Sequence, residues 1–314
     1  MTDKKLMRQK NRKVMVRNAL RNYELYLFLL PALLFFIIFH YGPMYGVQIA
    51  FKNYKASLGI WGSNWAEPLL YNFDRLFRTP MFPVVLKNTL LVSAYSLIFG
   101  FLPPIILALL LNQCTSLRFK KFVQTVSYAP HFITTVVMVS MLFALLSTSN
   151  GIVNRLFEAV GIGTIPMMRD AAYFRTVYVA SNIWQEMGFS AVIYIAALAG
   201  IDQQQYEAAT IDGANKLQRM WHIDIPGILP TVVILLILRS GSIMNVGFQK
   251  IYLMQTPLNL SASEVISTYV YKVGMEQADF SFAAAVGLFN SVINFIMIIS
   301  VNFISRKLNE TSLW

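Results

Sequence analysis

The chain of 314 residues has one cysteine, Cys114, and three histidines, His40, His131 and His222, scattered far apart. This leaves no disulfide framework and no cysteine or histidine cluster with metal-ligand spacing. No GxxxxGK[ST] sequence occurs, so the chain has no phosphate-binding loop of its own. Charge is scarce too. Asp, Glu, Lys and Arg make up 13% of the residues, about half the ~25% of a soluble domain. Acidic residues are the scarcer kind, 15 against 26 Lys and Arg, for a net charge of +11. No clustered carboxylates, His pair or Ser/His set sits at membrane depth, as an enzyme embedded there would need. Internal repeats and low-complexity linkers are also missing.

Apolar sequence fills the chain instead: 56% of residues are hydrophobic and the mean hydropathy is +0.53. Six runs reach the ~20 residues that a spanning helix needs. They are 26–49, 89–111, 127–146, 177–199, 228–246 and 282–304, and the second, third and sixth carry no charge. Barrel strands would alternate apolar and polar residues over about ten positions, so the expected fold class is all-α integral membrane, with about six transmembrane helices.

Eight of the cations lie within the first 21 residues, against one acid, Asp3. This basic tail, residues 1–24, runs straight into the first apolar stretch. It reads as a topology signal holding the N-terminus in the cytoplasm rather than as a nucleic-acid arm. The stretch is too long for a cleaved signal peptide, and no small-residue cleavage site follows it, so it is expected to be an uncleaved span. Six spans return the C-terminus to the cytoplasm, with Arg306 and Lys307 just past the last. Residues 25–314 then form one membrane domain. The segments near 112–121 and 200–227 fall inside, and those near 50–88, 147–176 and 247–281 fall outside. The first outer segment holds Lys52, Lys55, Arg75 and Arg78, weakly compatible with an anionic glycan.

The inner segment 202–226 has a shape of its own. Asp202 is placed to cap a helix over 203–211. Asp212-Gly213 signals a turn, with Gly213 free to take positive φ. A second helix is expected from near Ala214, and Pro226 marks the start of the fifth span. Small residues (Ala208, Ala209, Ala214) mix with apolar ones (Leu217, Met220, Trp221, Ile223). That mixture suits either a partner's groove or the headgroup layer, and the residues alone leave both open.

The segment EAATIDGANKLQRMWHIDIP resembles the EAA motif of permease subunits of ATP-binding-cassette importers. Glu207, Ala208, Ala209, Asp212, Gly213, Ala214, Ile223 and Pro226 match it, whereas Leu217 and Met220 stand where many members carry an aromatic. Further stretches, among them SYAPHF at 127–132, TSNGIVN at 148–154 and GFQKIYLMQTPLNLSASEVISTYVYKVG at 247–274, are similar to the oligosaccharide permeases related to the lipoprotein-associated multiple-sugar type of Gram-positive bacteria. The resemblance implies a type I importer permease that translocates an oligosaccharide or polysaccharide fragment across the bacterial cytoplasmic membrane by alternating access. It implies that 202–226 is the coupling segment docking on an ATPase. The implied partners are two cytoplasmic ATPase subunits carrying ATP and Mg, a second homologous permease in a heterodimer, and an extracellular sugar-binding lipoprotein. No cofactor is expected on this chain. A secondary transporter would instead show inverted repeats and paired broken helices, which the sequence lacks, and would leave 202–226 unexplained.

Two ionisable residues sit inside spans, Glu186 in the fourth and Arg239 in the fifth. An isolated charge at that depth costs several kcal/mol. Both are expected to face the bundle interior, paired or solvated in a shared cavity, either as a structural ion pair or as part of a substrate path. The polar and aromatic residues Asn182, Trp184, Gln185, Tyr194, Asn245, Asn290 and Asn294 are candidates for sugar contact or, equally, for helix packing. Asn290 and Asn294 share a helix face.

Overall fold

The structure, a computed structural model, describes residues 21–309. Most of the basic tail expected over 1–24 and the residues past Asn309 lie outside them. Among the described residues the secondary structure is helical, and one isolated antiparallel bridge joins Lys52 to Trp65. The chain divides into two compact units, the first ending at Tyr71 and the second beginning at Asn72.

The first unit is built on a helical run, Tyr23–Phe51, of 29 residues. It opens as α1 (Tyr23–Phe36), passes a π-helical turn at Ile37–Tyr41 and closes as a 3-10 stretch, Tyr45–Phe51. At 1.5 Å per residue it exceeds the ~30 Å of bilayer hydrocarbon. Residues such as Phe28, Leu33 and Phe39 are more than half exposed, the surface expected of a helix solvated by lipid.

The second unit contains α2 (Met81–Asn112), α3 (Leu117–Tyr128), α4 (Thr135–Leu145), α5 (Ile152–Ala159), α6 (Ala171–Ala199), α7 (Gln203–Ile211), α8 (Lys216–Arg219), α9 (Ile225–Ser240), α10 (Phe248–Met254), α11 (Ile266–Tyr271) and α12 (Phe280–Asn309). Helix α6 packs along α2 and against α3. Its Gly188 makes the second contact possible. A Cβ there would fall 2.0 Å from the Ser127 carbonyl oxygen, so only glycine lets the two backbones meet. Phe174, Tyr178, Val92 and Val139 share a core with Ile251 and Val265, which ties α10 into the bundle.

Two expectations from sequence need correction. The third span is not one straight helix over 127–146. Its apolar run is continuous, but α3 and the 3-10 turn Ala129–Phe132 meet α4 at 101°. Ile133 and Thr134 are extended, and the Thr134 hydroxyl accepts from the Val137 amide to start α4 afresh. The fifth span does not run to Val246, because α9 stops at Ser240 and the chain turns. The Met244 amide freed by that turn donates to the Asn294 side chain at 3.0 Å. The second helix of 202–226, expected from near Ala214, begins at Lys216, behind a capping box made by Asn215 and Gln218. It does not end before the span: a π-helical turn, Met220–Asp224, carries it directly into α9, giving a 25-residue helical run, Lys216–Ser240.

Candidate functional site

A cavity of about 540 Å³ opens between α2, α6, α9 and α10. Helix α6 supplies Asn182, Gln185 and Glu186, which fall on one face by their i, i+3, i+4 spacing. Ser96 and Gly100 of α2, Thr135 at the start of α4, Arg239 of α9 and Lys250 of α10 complete the polar wall. A second space of about 180 Å³ shares Ser96, Asn182 and Arg239 and adds Asn245.

The break between α3 and α4 is part of this wall. It frees the Ile133 carbonyl, which accepts from Gln185 Nε2 at 2.9 Å. His131 stacks on Phe189, with ring centroids 4.0 Å apart, and its Nδ1 lies 2.9 Å from a Glu186 carboxylate oxygen. Arg239 donates to the Ser96 carbonyl at 3.0 Å and the Gly100 carbonyl at 3.2 Å. Glu186 and Arg239 thus line one cavity, each held by other partners. Lys250 is 6% exposed, and its ammonium donates to Asn182 Oδ1 at 2.7 Å and Gln185 Oε1 at 3.4 Å. Burial pushes its pKa down to about 8, against an upward pull from Glu186.

Lys250 has no counterpart among the residues singled out from sequence. It lies in a segment read as an outer loop, where a lysine passes for a solvated one. The reverse holds for three residues that were singled out. Tyr194 is buried with Leu109, Leu198 and Ile228 in an apolar cluster. Trp184 points away from the cavity, 45% exposed. Asn294 serves the Met244 amide. Asn290 donates to Asn245 at 2.9 Å, joining α12 to the turn after α9. Of the basic residues in 50–88, Lys52 donates to the Ile60 carbonyl at 2.7 Å, Arg75 pairs with Asp279 at 2.6 Å and Arg78 with Asp74 at 2.9 Å.

At the far end of α6 lies the 202–226 segment. Asp202 caps α7 by accepting from the Gln204 amide at 3.0 Å, and α7 covers Gln203–Ile211. Gly213 takes φ +74°, a left-handed conformation that L-residues rarely adopt. Glu207, Ala208, Asp212, Gly213, Leu217, Trp221 and Pro226 are exposed. Ala209, Ala214 and Met220 are half-buried, and Ile223 is buried. Asp224 is the fixed point. It is fully buried, and its carboxylate accepts from Gln113 Nε2 at 2.6 Å, Asn112 Nδ2 at 3.1 Å and the Tyr206 hydroxyl at 2.5 Å. One carboxylate therefore joins the end of α2, helix α7 and the start of α9, and no sequence signal pairs residues more than 100 positions apart.

Comparison with known proteins agrees with this architecture. Residues 100–310 match the family model described as binding-protein-dependent transport system inner membrane component. Protein LplB of Bacillus subtilis is 43% identical over 294 residues, covering 94% of this chain and 92% of that protein. The polygalacturonan/rhamnogalacturonan transport system permease protein YteP of the same organism is 40% identical over 312 residues, 99% of this chain and 97% of that one. Among solved structures, a bacterial ABC transporter that imports the acidic polysaccharide alginate has a chain 37% identical to this one, with a TM-score of 0.85 over 94% of this chain and 99% of its own. The same kind of transporter, in complex with an alginate pentasaccharide-bound periplasmic protein, aligns with a TM-score of 0.86 at 37% identity, over 95% of this chain and 99% of its own. The chain belongs to the inner membrane components of binding-protein-dependent transport systems, and is a membrane translocation subunit of an ABC importer rather than its ATPase.

Proposed function

We propose that this chain imports an oligosaccharide or polysaccharide fragment through the cavity walled by Asn182, Gln185, Glu186, Arg239 and Lys250. The observation that carries this reading is the cavity itself. It is a large polar space inside helices that are otherwise apolar, and it gathers the ionisable residues of two spans. Polar groups at membrane depth are costly unless they line a path or pair with one another. Amides and carboxylates around such a space are suited to sugar hydroxyls, which both donate and accept. The carbohydrate cargoes of the related permeases support the same class.

The energy source is a pair of separate ATPase subunits that bind ATP and Mg at the cytoplasmic face, where the N-terminal tail also lies. The exposed face of 202–226, with Glu207, Ala208, Leu217 and Trp221, docks on one of them. A second, homologous permease completes the path, and an extracellular binding protein delivers the sugar. ATP favours the closed ATPase pair, and the two-state equilibrium of the permease shifts with it, because the nucleotide binds one state better than the other. Asp224 makes 202–226 continuous with α2 and α9, so a displacement of the docked segment reaches the helices that wall the cavity.

The test is reconstitution in proteoliposomes with the sister permease, ATPase and binding protein. Sugar-loaded binding protein should stimulate ATP hydrolysis, and Glu207→Ala and Gly213→Pro should abolish the stimulation while the complex still assembles. Undiminished stimulation in both variants would refute docking through this segment.

A further inference from the structure

We propose that the cavity selects a cargo that carries a carboxylate, a uronate-containing oligosaccharide, and that Lys250 and Arg239 are the residues that select it. This rests on the reading of the cavity as the sugar path.

A cation taken out of water inside a protein, as Lys250 is, is expected to meet a carboxylate, whereas Arg239 is exposed to the cavity space. Among the described residues the Lys and Arg ion pairs are Arg75–Asp279, Arg78–Asp74 and Lys272–Glu264. Lys250 and Arg239 take part in none of them. Their partners are neutral oxygens: two side-chain amides for Lys250, two backbone carbonyls for Arg239. Such acceptors fix the direction of a cation without cancelling its charge. They also leave donors over. An ammonium has three N–H groups and a guanidinium five, so one remains on Lys250 and three on Arg239.

The rest of the wall does not supply the missing anion. Its one carboxylate, Glu186, is engaged by His131. Two cations against one carboxylate leave the cavity formally positive by one charge with His131 neutral. The Ser96 hydroxyl, beside the carbonyl that holds Arg239, is buried without a hydrogen-bond partner. The amino end of α4, an eleven-residue helix, reaches the wall at Thr135 and adds a partial positive charge. A volume of about 540 Å³ lies in the range of small-molecule sites and far exceeds an inorganic ion. A neutral sugar would leave the cavity with one positive charge in excess of Glu186. A carboxylate on one of the sugar's rings would accept from Lys250 and Arg239 and supply the absent partner. The basic residues of 50–88 do not duplicate this role, since Lys52, Arg75 and Arg78 are already held by other groups.

The test is equilibrium binding to the complete transporter in nanodiscs of zwitterionic lipid, without the binding protein, whose own selectivity would mask the cavity's. The probes are a tri-galacturonate and its carboxyl-reduced neutral counterpart. The wild type should bind the acid about tenfold or more tighter than the neutral sugar, the discrimination expected of charge-assisted hydrogen bonds. Lys250→Met and Arg239→Gln should each bring the acid-to-neutral ratio towards one, and Lys250→Arg should preserve it. The retained ratio in Lys250→Arg guards against a variant that has merely misfolded. Equal affinity for both sugars in the wild type overturns the acidic selection and leaves the sugar path intact. Persistence of the preference in Lys250→Met and Arg239→Gln overturns the assignment to these residues. If the acid is displaced by adding anionic phospholipid while the neutral sugar is not, the cations belong to a lipid and the proposal fails. Binding of neither sugar counts against the sugar path itself.

Discussion

Two regions of this chain place charged groups on neutral partners, with opposite results. At the 202–226 end, the Asp224 carboxylate is sealed from solvent and takes three neutral donors from α2 and α7. In the cavity, Arg239 and Lys250 sit on neutral acceptors, but beside open space and with donors to spare. The sealed charge has its coordination filled by the protein and acts as a joint. The open charges have only part of theirs and are left able to receive something else. A charge–dipole contact thus locks in one place and recruits in the other, and what separates the two is access rather than chemistry.

The sharpest way to break this contrast is to empty the joint. Asp224→Ala strips the acceptor from three donors, and leaving buried polar groups unpaired should cost roughly 3 kcal/mol. The thermal midpoint of the purified complex should fall, and less ATP hydrolysis should end in transport. Tyr206→Phe removes a single donor and should cost about 1 kcal/mol. Combined with Asp224→Ala it should add almost nothing, because the two act through one contact.

Next in size is Gly188→Ala, whose Cβ would meet the Ser127 carbonyl at 2.0 Å. Forcing α3 and α6 apart should cost about 1–3 kcal/mol and shift the break that places Thr135 and the Ile133 carbonyl on the cavity wall. Loss of folded protein in a thermal scan measures the first effect.

The cavity side is probed by pH. Burial lowers the Lys250 ammonium from its ordinary value to about 8, partly opposed by Glu186. The group is charged below that pH and neutral above it. Affinity for an acidic sugar should therefore hold at pH 6–7 and fall by up to about tenfold per pH unit past the pKa. The other charged groups facing the same space are Glu186 with its partner His131, and Arg239, which stays cationic throughout. Lys250→Arg should flatten the profile in a binding titration. The smallest effect is expected at Gly213→Ala, where φ +74° costs an L-residue about 1 kcal/mol. A small shift in thermal midpoint, larger than for Ala at a neighbouring helical position, checks it.

Much of this was legible in the residues, for local reasons. The cap at Asp202, helix α7 and the left-handed Gly213 follow from side-chain chemistry within a few positions, and the structure has all three. The long apolar runs announce spanning helices. Helical periodicity also separates the α6 face bearing Asn182, Gln185 and Glu186 from Trp184, although polarity alone had grouped them. The rest depends on tertiary placement. The 101° break falls inside an unbroken apolar run, marked only by Pro130 and Thr134. Lys250 looks like a loop lysine until α10 is folded back against α6. Asp224 differs from any other acid near a helix start only through Asn112, Gln113 and Tyr206.

The central claim is that this chain moves sugar at the expense of ATP hydrolysed elsewhere, through the 202–226 segment. The most direct measurement is uptake of labelled oligosaccharide into proteoliposomes holding the full complex, energised either by ATP inside or by an imposed ion gradient. The account predicts uptake with ATP alone, none with the gradient alone, and loss of the ATP-driven signal in Glu207→Ala. Gradient-driven uptake by this chain without an ATPase, unaffected by that substitution, would contradict it.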